Sequence, residues 1–198
     1  VMQAKQVTEI LLQALEHERG GVLVYTTALE CVVNDELKAE FSKYLDETHE
    51  HVQHLEKVFA AFGLDLEAQS AGRQIVHDLG ASLVKAMKIA KVAGEPGVAE
   101  IVACECVVIA ETKDHLNWHL LAECAKKLTG EEGKALKAAV EEVEDQEDEH
   151  LYHSKGWCRE LWMKALGMKA VLPPPEERKH VKTAIGAARA EQQRGEMR

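Results

Sequence analysis

The sequence predicts an all-α four-helix bundle in which a long crossover joins the second helix to the third. Three observations carry that expectation. Ala, Leu, Glu and Lys dominate, whereas aromatic residues make up only 5% and there are four prolines, a mix that favours helix over strand. Apolar residues recur at three- and four-residue steps through four long stretches. Glycine, proline and asparagine fall where those stretches end.

The first helix is expected from about Met2 to Val33, with Val7, Leu11, Ala14, Val22, Tyr25, Leu29 and Val32 along one stripe. A single charged residue, Glu18, interrupts it. Asn34-Asp35 then makes a turn and a helix start. The second helix continues to Phe62, turning Phe41, Thr48, Val52, Leu55, Val58, Phe59 and Phe62 inward, and Gly63 follows as a C-terminal cap. Residues 64–96 read as the crossover. They carry a short extra helix outlined by Ile75, Val76, Leu79, Leu83, Val84 and Met87, before Gly94-Glu95-Pro96-Gly97 breaks the chain. A connection of that length can run the height of a bundle, so the second and third helices lie parallel. The third helix spans about Val98 to Leu128. Thr129-Gly130-Glu131-Glu132 has the form of a capping box and opens the fourth, which ends near Leu166. Residues 1–168 thus form the bundle. Residues 169–198 are a tail, with Pro173-Pro174-Pro175 as a stiff linker into a basic, Ala-rich segment expected to form a surface helix.

Composition removes several classes of function. A formal net charge of -10 argues against non-specific nucleic-acid binding, which needs clustered Lys and Arg, and suits a chain that attracts cations. No apolar run approaches the roughly 18 residues of a membrane span. The segment Val1-Met2-Gln3-Ala4-Lys5 lacks a signal-peptide pattern, so a soluble cytoplasmic protein is expected. Five cysteines, scattered and without a Cys-x-x-Cys pair, read as reduced small core residues, not a disulfide framework or zinc knuckle.

The chemistry sits in the charged residues that break the apolar stripes. Glu147-Asp148-Glu149-His150 is a Glu-x-x-His, whose outer members share a helical face and can reach one metal. With 34 acidic residues and 10 histidines in the chain, such a match arises by chance and carries little alone. Height along the bundle adds the weight. In an antiparallel hairpin, residues equidistant from the turn sit at one level. Glu18 and Glu50 are equidistant from Asn34, Glu111 and Glu147 are equidistant from Thr129, and Glu47 lies within a turn of Glu50. Each helix therefore offers a carboxylate near mid-length. A buried unpaired carboxylate costs several kcal/mol, and shared cations are the economical compensation. Glu105 competes with Glu111 on the third helix, but stands about six residues, roughly 9 Å, off the common level. Asp114 and His115, a turn beyond Glu111, are expected as supporting partners.

Together these residues resemble the ferritin-like superfamily of di-iron carboxylate proteins, bacterioferritins and rubrerythrins among them, over about residues 5–165. The family pattern is Glu on helix one, Glu-x-x-His on helix two, Glu on helix three and Glu-x-x-His on helix four. The resemblance implies a ferritin-like fold and a metal set of Glu18, Glu47, Glu50, Glu111, Glu147 and His150. Leu15-Glu16-His17-Glu18 with Tyr25 is similar to helix one of bacterioferritin, and Tyr25 is the candidate catalytic residue, as a proton or electron donor or else a core tyrosine. The helix-two histidine of the pattern is replaced by Glu50, leaving Glu50 itself, His51 or His54 as the ligand. Thr48 stands where a haem-ligating Met is found, so no haem is expected, and rubredoxin-type Cys-x-x-Cys pairs are absent. His17, His49, His77, His119 and His180 read as solvated positions. The implied cofactor is two iron ions, or manganese. The implied activity is oxidation of ferrous iron by O2 or H2O2, with an unidentified electron donor and a homo-oligomeric assembly. Metal storage or sensing without turnover, and a helical module with solvated glutamates, are the competing readings.

Overall fold

The computed structural model describes residues 3–197, and these are mostly helical, with no strand among them. The helices are α1 (Ala4–Leu29), α2 (Asp35–Phe62), α3 (Ala71–Val92), α4 (Pro96–Ala125), α5 (Gly130–Ala165), α6 (Pro175–Arg178) and α7 (Ala184–Gln192), followed by a 3-10 turn over Gln193–Met197. α1 packs on α2 and α4, and α5 packs on α4 and α2, so these four close a ring; α3 lies along α1 and α4. The expected start of the first helix at Met2 lies outside the described residues. No described helix is long and apolar enough to cross a membrane, and all five cysteines are free.

Local chemistry explains most boundaries. Asn34 caps α2 by accepting from the Leu37 amide at 3.0 Å. Gly63, at φ 63°, closes the same helix in the left-handed region that glycine enters without penalty. Ser70 caps α3 through the Arg73 amide. α1 stops at Leu29, short of the expected Val33, because the buried Glu100 carboxylate on α4 captures the amides of Val33 and Asn34 at 3.0 and 2.6 Å. The capping box expected at Thr129 does not form. Gly130 enters α5 at φ 72° and the Thr129 side chain caps nothing.

The crossover helix is longer than the short extra helix expected, at 22 residues. Its inward face is also rotated: Val76, Met87 and Ala90 are buried, whereas Ile75 and Leu79 are 59% and 60% exposed. Buried Arg73 helps to set that rotation. Its guanidinium donates to Glu16 on α1 at 2.9 Å and to the Leu66 and Ala68 carbonyls at 2.7 and 2.8 Å. The tail is not a free linker. It folds back on α5, where Arg194 pairs with the fully buried Glu160, Arg159 forms a two-pronged bond to Glu176, and Trp157 donates to Glu177.

The apolar core comes in two parts. One gathers Val24, Tyr25, Phe41, Tyr44, Met87, Val107 and Trp157; the other gathers Leu11, Leu15, Leu55, Phe59, Trp118, Leu136 and Val143. Each large apolar side chain buried there stabilises the fold by about 1.5–3 kcal/mol. Between the two parts, near mid-height on all four bundle helices, lies a layer of buried polar residues. The apolar clusters offset its burial cost and exclude water from it.

Candidate metal centre

The polar layer is built by inward positions of the four bundle helices. α1 contributes Glu18, α2 His51, α4 Glu111 and Asp114, and α5 Glu147 and His150, every one at most 4% exposed. Helical spacing explains their company. On α2 the buried positions Phe41, Tyr44, Thr48, His51, Leu55 and Val58 follow each other at three- and four-residue steps, so His51 occupies a core position. On α5, Val143, Glu147, His150, Ser154 and Trp157 do the same.

Glu18 Oε1 accepts from the Trp118 indole at 2.6 Å and lies 3.2 Å from His51 Nδ1. Glu147 Oε1 lies 3.2 Å from the same nitrogen and 3.6 Å from His150 Nδ1. The Tyr25 hydroxyl donates to Glu111 Oε1, which is 3.7 Å from His150 Nδ1. The two imidazoles stack with centroids 5.5 Å apart. Each is oriented from behind: His51 Nε2 meets Gln146 Oε1 at 2.7 Å and His150 Nε2 meets Glu47 Oε2 at 2.8 Å. Those acceptors hold the ring protons at Nε2 and turn both Nδ1 atoms into the interior.

What these inward atoms lack is partners. Glu18 Oε2, His51 Nδ1, Glu111 Oε2, Asp114 Oδ1, both Glu147 oxygens and His150 Nδ1 are buried without a hydrogen bond. The short His51 contacts to Glu18 and Glu147 have ion-pair distances but not hydrogen-bond angles. Two trios could each hold a cation: His51 with Glu147 and His150, and Glu18 with Asp114 and Glu147, their ligand atoms within 4.8 Å of one another. Glu147 belongs to both.

The electrostatics reflect the crowding. Burial pushes the Glu147 carboxyl up to about 7. Burial and the Glu147 charge hold Glu111 well above the carboxylate range, against the pull of the Tyr25 hydroxyl. Asp114 is raised by burial and then by Glu18 and Glu147. His51 moves well above its ordinary value: burial opposes its protonation, but Glu18 and Glu147 outweigh that. Glu18 moves the other way because His51 and Trp118 overcome its burial, so Glu18 and His51 behave as an ion pair. Burial and His51 keep His150 neutral. Several carboxylates in one dry layer thus gather protons, and cations answer the same demand. The donor set, mixed carboxylate and imidazole with unpartnered atoms converging, fits hard divalent ions such as iron or manganese.

Of the residues expected at this site, Glu18, Glu111, Glu147 and His150 meet in the buried layer. Glu47 stands at its edge, half-buried, behind His150. Glu50 does not belong to it: the residue is exposed, and neighbouring helix positions turn by about 100°. The α2 frame is shifted by one, to Thr48-x-x-His51. Thr48 is buried and bonds back to the Tyr44 carbonyl, and side-chain-free Gly21 faces it across α1. His54 is half-buried and outside both trios. Glu105 is half-buried outside both trios and accepts from the Trp162 indole. Asp114, expected as a supporting partner, is a member of the layer, and His17, expected in solvent, contacts the Ala110 carbonyl at 2.9 Å. The sequence leaves Glu50, His51 and His54 open as the α2 ligand, and the rotation of α2 selects His51. No family model, curated protein or solved structure matches this chain.

Proposed function

We propose that the chain is a two-cation carboxylate protein of the ferritin-like di-iron type, which oxidises ferrous iron with O2 or H2O2. The observation that carries this reading is Glu147, a fully desolvated carboxylate with neither oxygen hydrogen-bonded, shared by two trios of ligating residues. The ring order α1, α2, α5, α4, with α3 in the long connection, supports the ferritin-like assignment.

His51 and Glu147 with His150 would hold one ion, and Glu18 and Asp114 with Glu147 the other. Iron or manganese bound in the reduced state supplies the electrons for reduction of O2 or H2O2. Gln146 and Glu47 hold a proton on each outer imidazole nitrogen, so the inner nitrogen of His150 offers a lone pair, and that of His51 does so once a cation displaces the proton it carries beside Glu18. Tyr25 keeps its proton and donates a hydrogen bond to Glu111 Oε1, 3.7 Å from His150 Nδ1, which orients the Glu111 carboxyl toward the layer. Trp118, Phe41 and Leu55, all within the apolar clusters, keep water scarce.

Anaerobic ferrous titration of chelator-washed protein should reach about two ions per chain, and admission of air should then consume O2. Binding of iron without O2 or H2O2 consumption would instead favour storage or sensing. Failure to bind any ferrous, manganous or cobaltous ion would sink the reading.

A further inference from the structure

A cleft of about 240 Å3 opens between α4 and α5, and its floor is Glu147 and Trp118. His115, His119, Glu144 and Asp148 form its walls, and Thr183 closes it from the tail. His115 Nε2 and Asp148 Oδ1 are 2.6 Å apart and partly exposed. Acidic and imidazole groups on a surface are common without function. This group differs because the floor residue, Glu147, is 2% exposed with both carboxylate oxygens unpartnered. The cleft therefore brings solvent-facing ligand atoms up against the residue whose buried carboxylate lacks a partner.

We propose that this cleft is the route by which a divalent cation reaches the buried centre, with His115, Asp148, His119 and Glu144 as successive transient holders. The inference rests on the two-cation reading above and adds its access path. Each wall residue offers an oxygen or nitrogen that can replace one water of a hydrated cation, so dehydration proceeds stepwise instead of in one costly transfer. The opposite edge of the centre is less suited. There Lys43 sits 3.6 Å from Glu47 and 2.8 Å from Glu149, and its ammonium already occupies the carboxylates that an incoming cation would meet. Tail docking completes the cleft, since Lys182, next to Thr183, bridges Asp145 and Glu149 at 3.2 Å each.

The test is stopped-flow uptake of Co2+ by the full, chelator-washed chain, read by its visible absorption, at low and high salt. H115Q/D148N should take up Co2+ roughly tenfold more slowly, with a weaker salt dependence and the same final content per chain. The exposed Glu144→Gln change, which disturbs no packing, should slow uptake by a smaller factor and keeps the test valid if the double variant misfolds. An unchanged rate in folded variants overturns the route, and so does a fall in final Co2+ content, which would make these residues permanent ligands. A wild-type chain that takes up no Co2+ overturns the two-cation reading itself, and the route with it.

Discussion

At the scale of single residues, the α2 frame decides which side chains serve the centre. Glu50 and His51 are neighbours in sequence, yet one faces water and the other is fully buried beside Glu18 and Glu147. His51→Ala should weaken cobaltous or manganous binding by more than about 100-fold, whereas Glu50→Ala should leave the isotherm unchanged. Equal effects from the two changes would refute the assignment of His51. Glu147 has a different signature because both trios need it. Glu147→Gln should abolish the two-ion stoichiometry measured by metal analysis. It should also hold or raise the melting temperature of the metal-free chain, because the amide removes a buried charge held against desolvation. A clear fall in metal-free stability would mean that Glu147 has a structural partner.

At the scale of elements, the tail is the least anticipated feature. Pro173-Pro174-Pro175 reads as a spacer, but the chain beyond it returns to α5 and buries Glu160 against Arg194, the Val171 amide and Arg159. Removing one partner of such a buried pair costs about 3–5 kcal/mol. Glu160→Gln should therefore release the tail, seen as rapid limited proteolysis after Lys169 with the bundle intact. Acid should mimic this change. Burial pushes the Glu160 carboxyl up, but Arg194, the Val171 amide and Arg159 together hold it below its ordinary value. The docking contribution is thus complete above the usual carboxylate range and disappears as pH falls through the depressed value. Tail protease sensitivity should rise below about pH 4. A tail equally resistant at pH 7 and pH 3 would contradict the pairing.

For the whole molecule, two apolar clusters sandwich a polar layer that is poorly satisfied without cations. Folding and metal binding are then linked. Saturation at 100 times the dissociation constant should stabilise the chain by about 2.7 kcal/mol for each site filled, and chelation should reverse the gain in melting temperature. Equal melting curves with and without Mn2+ or Fe2+ would argue that the layer is satisfied by protons alone.

The sequence by itself determined the four long helices, their turns at Asn34, Gly63 and Thr129, and the convergence of Glu18, Glu111, Glu147 and His150. These follow from local periodicity and from heights counted along hairpins, quantities that a single chain carries without knowledge of its neighbours. Tertiary structure alone decided the rotation of each helix about its axis. That rotation placed His51 inside and Glu50 outside, drew Asp114 into the layer and kept Val76 in while turning Ile75 out. It also decided the docking of the tail through Glu160 and Arg194. Rotation and docking depend on which distant side chains fill the facing space, and one residue's step turns a helix by about 100°, enough to exchange solvent for core.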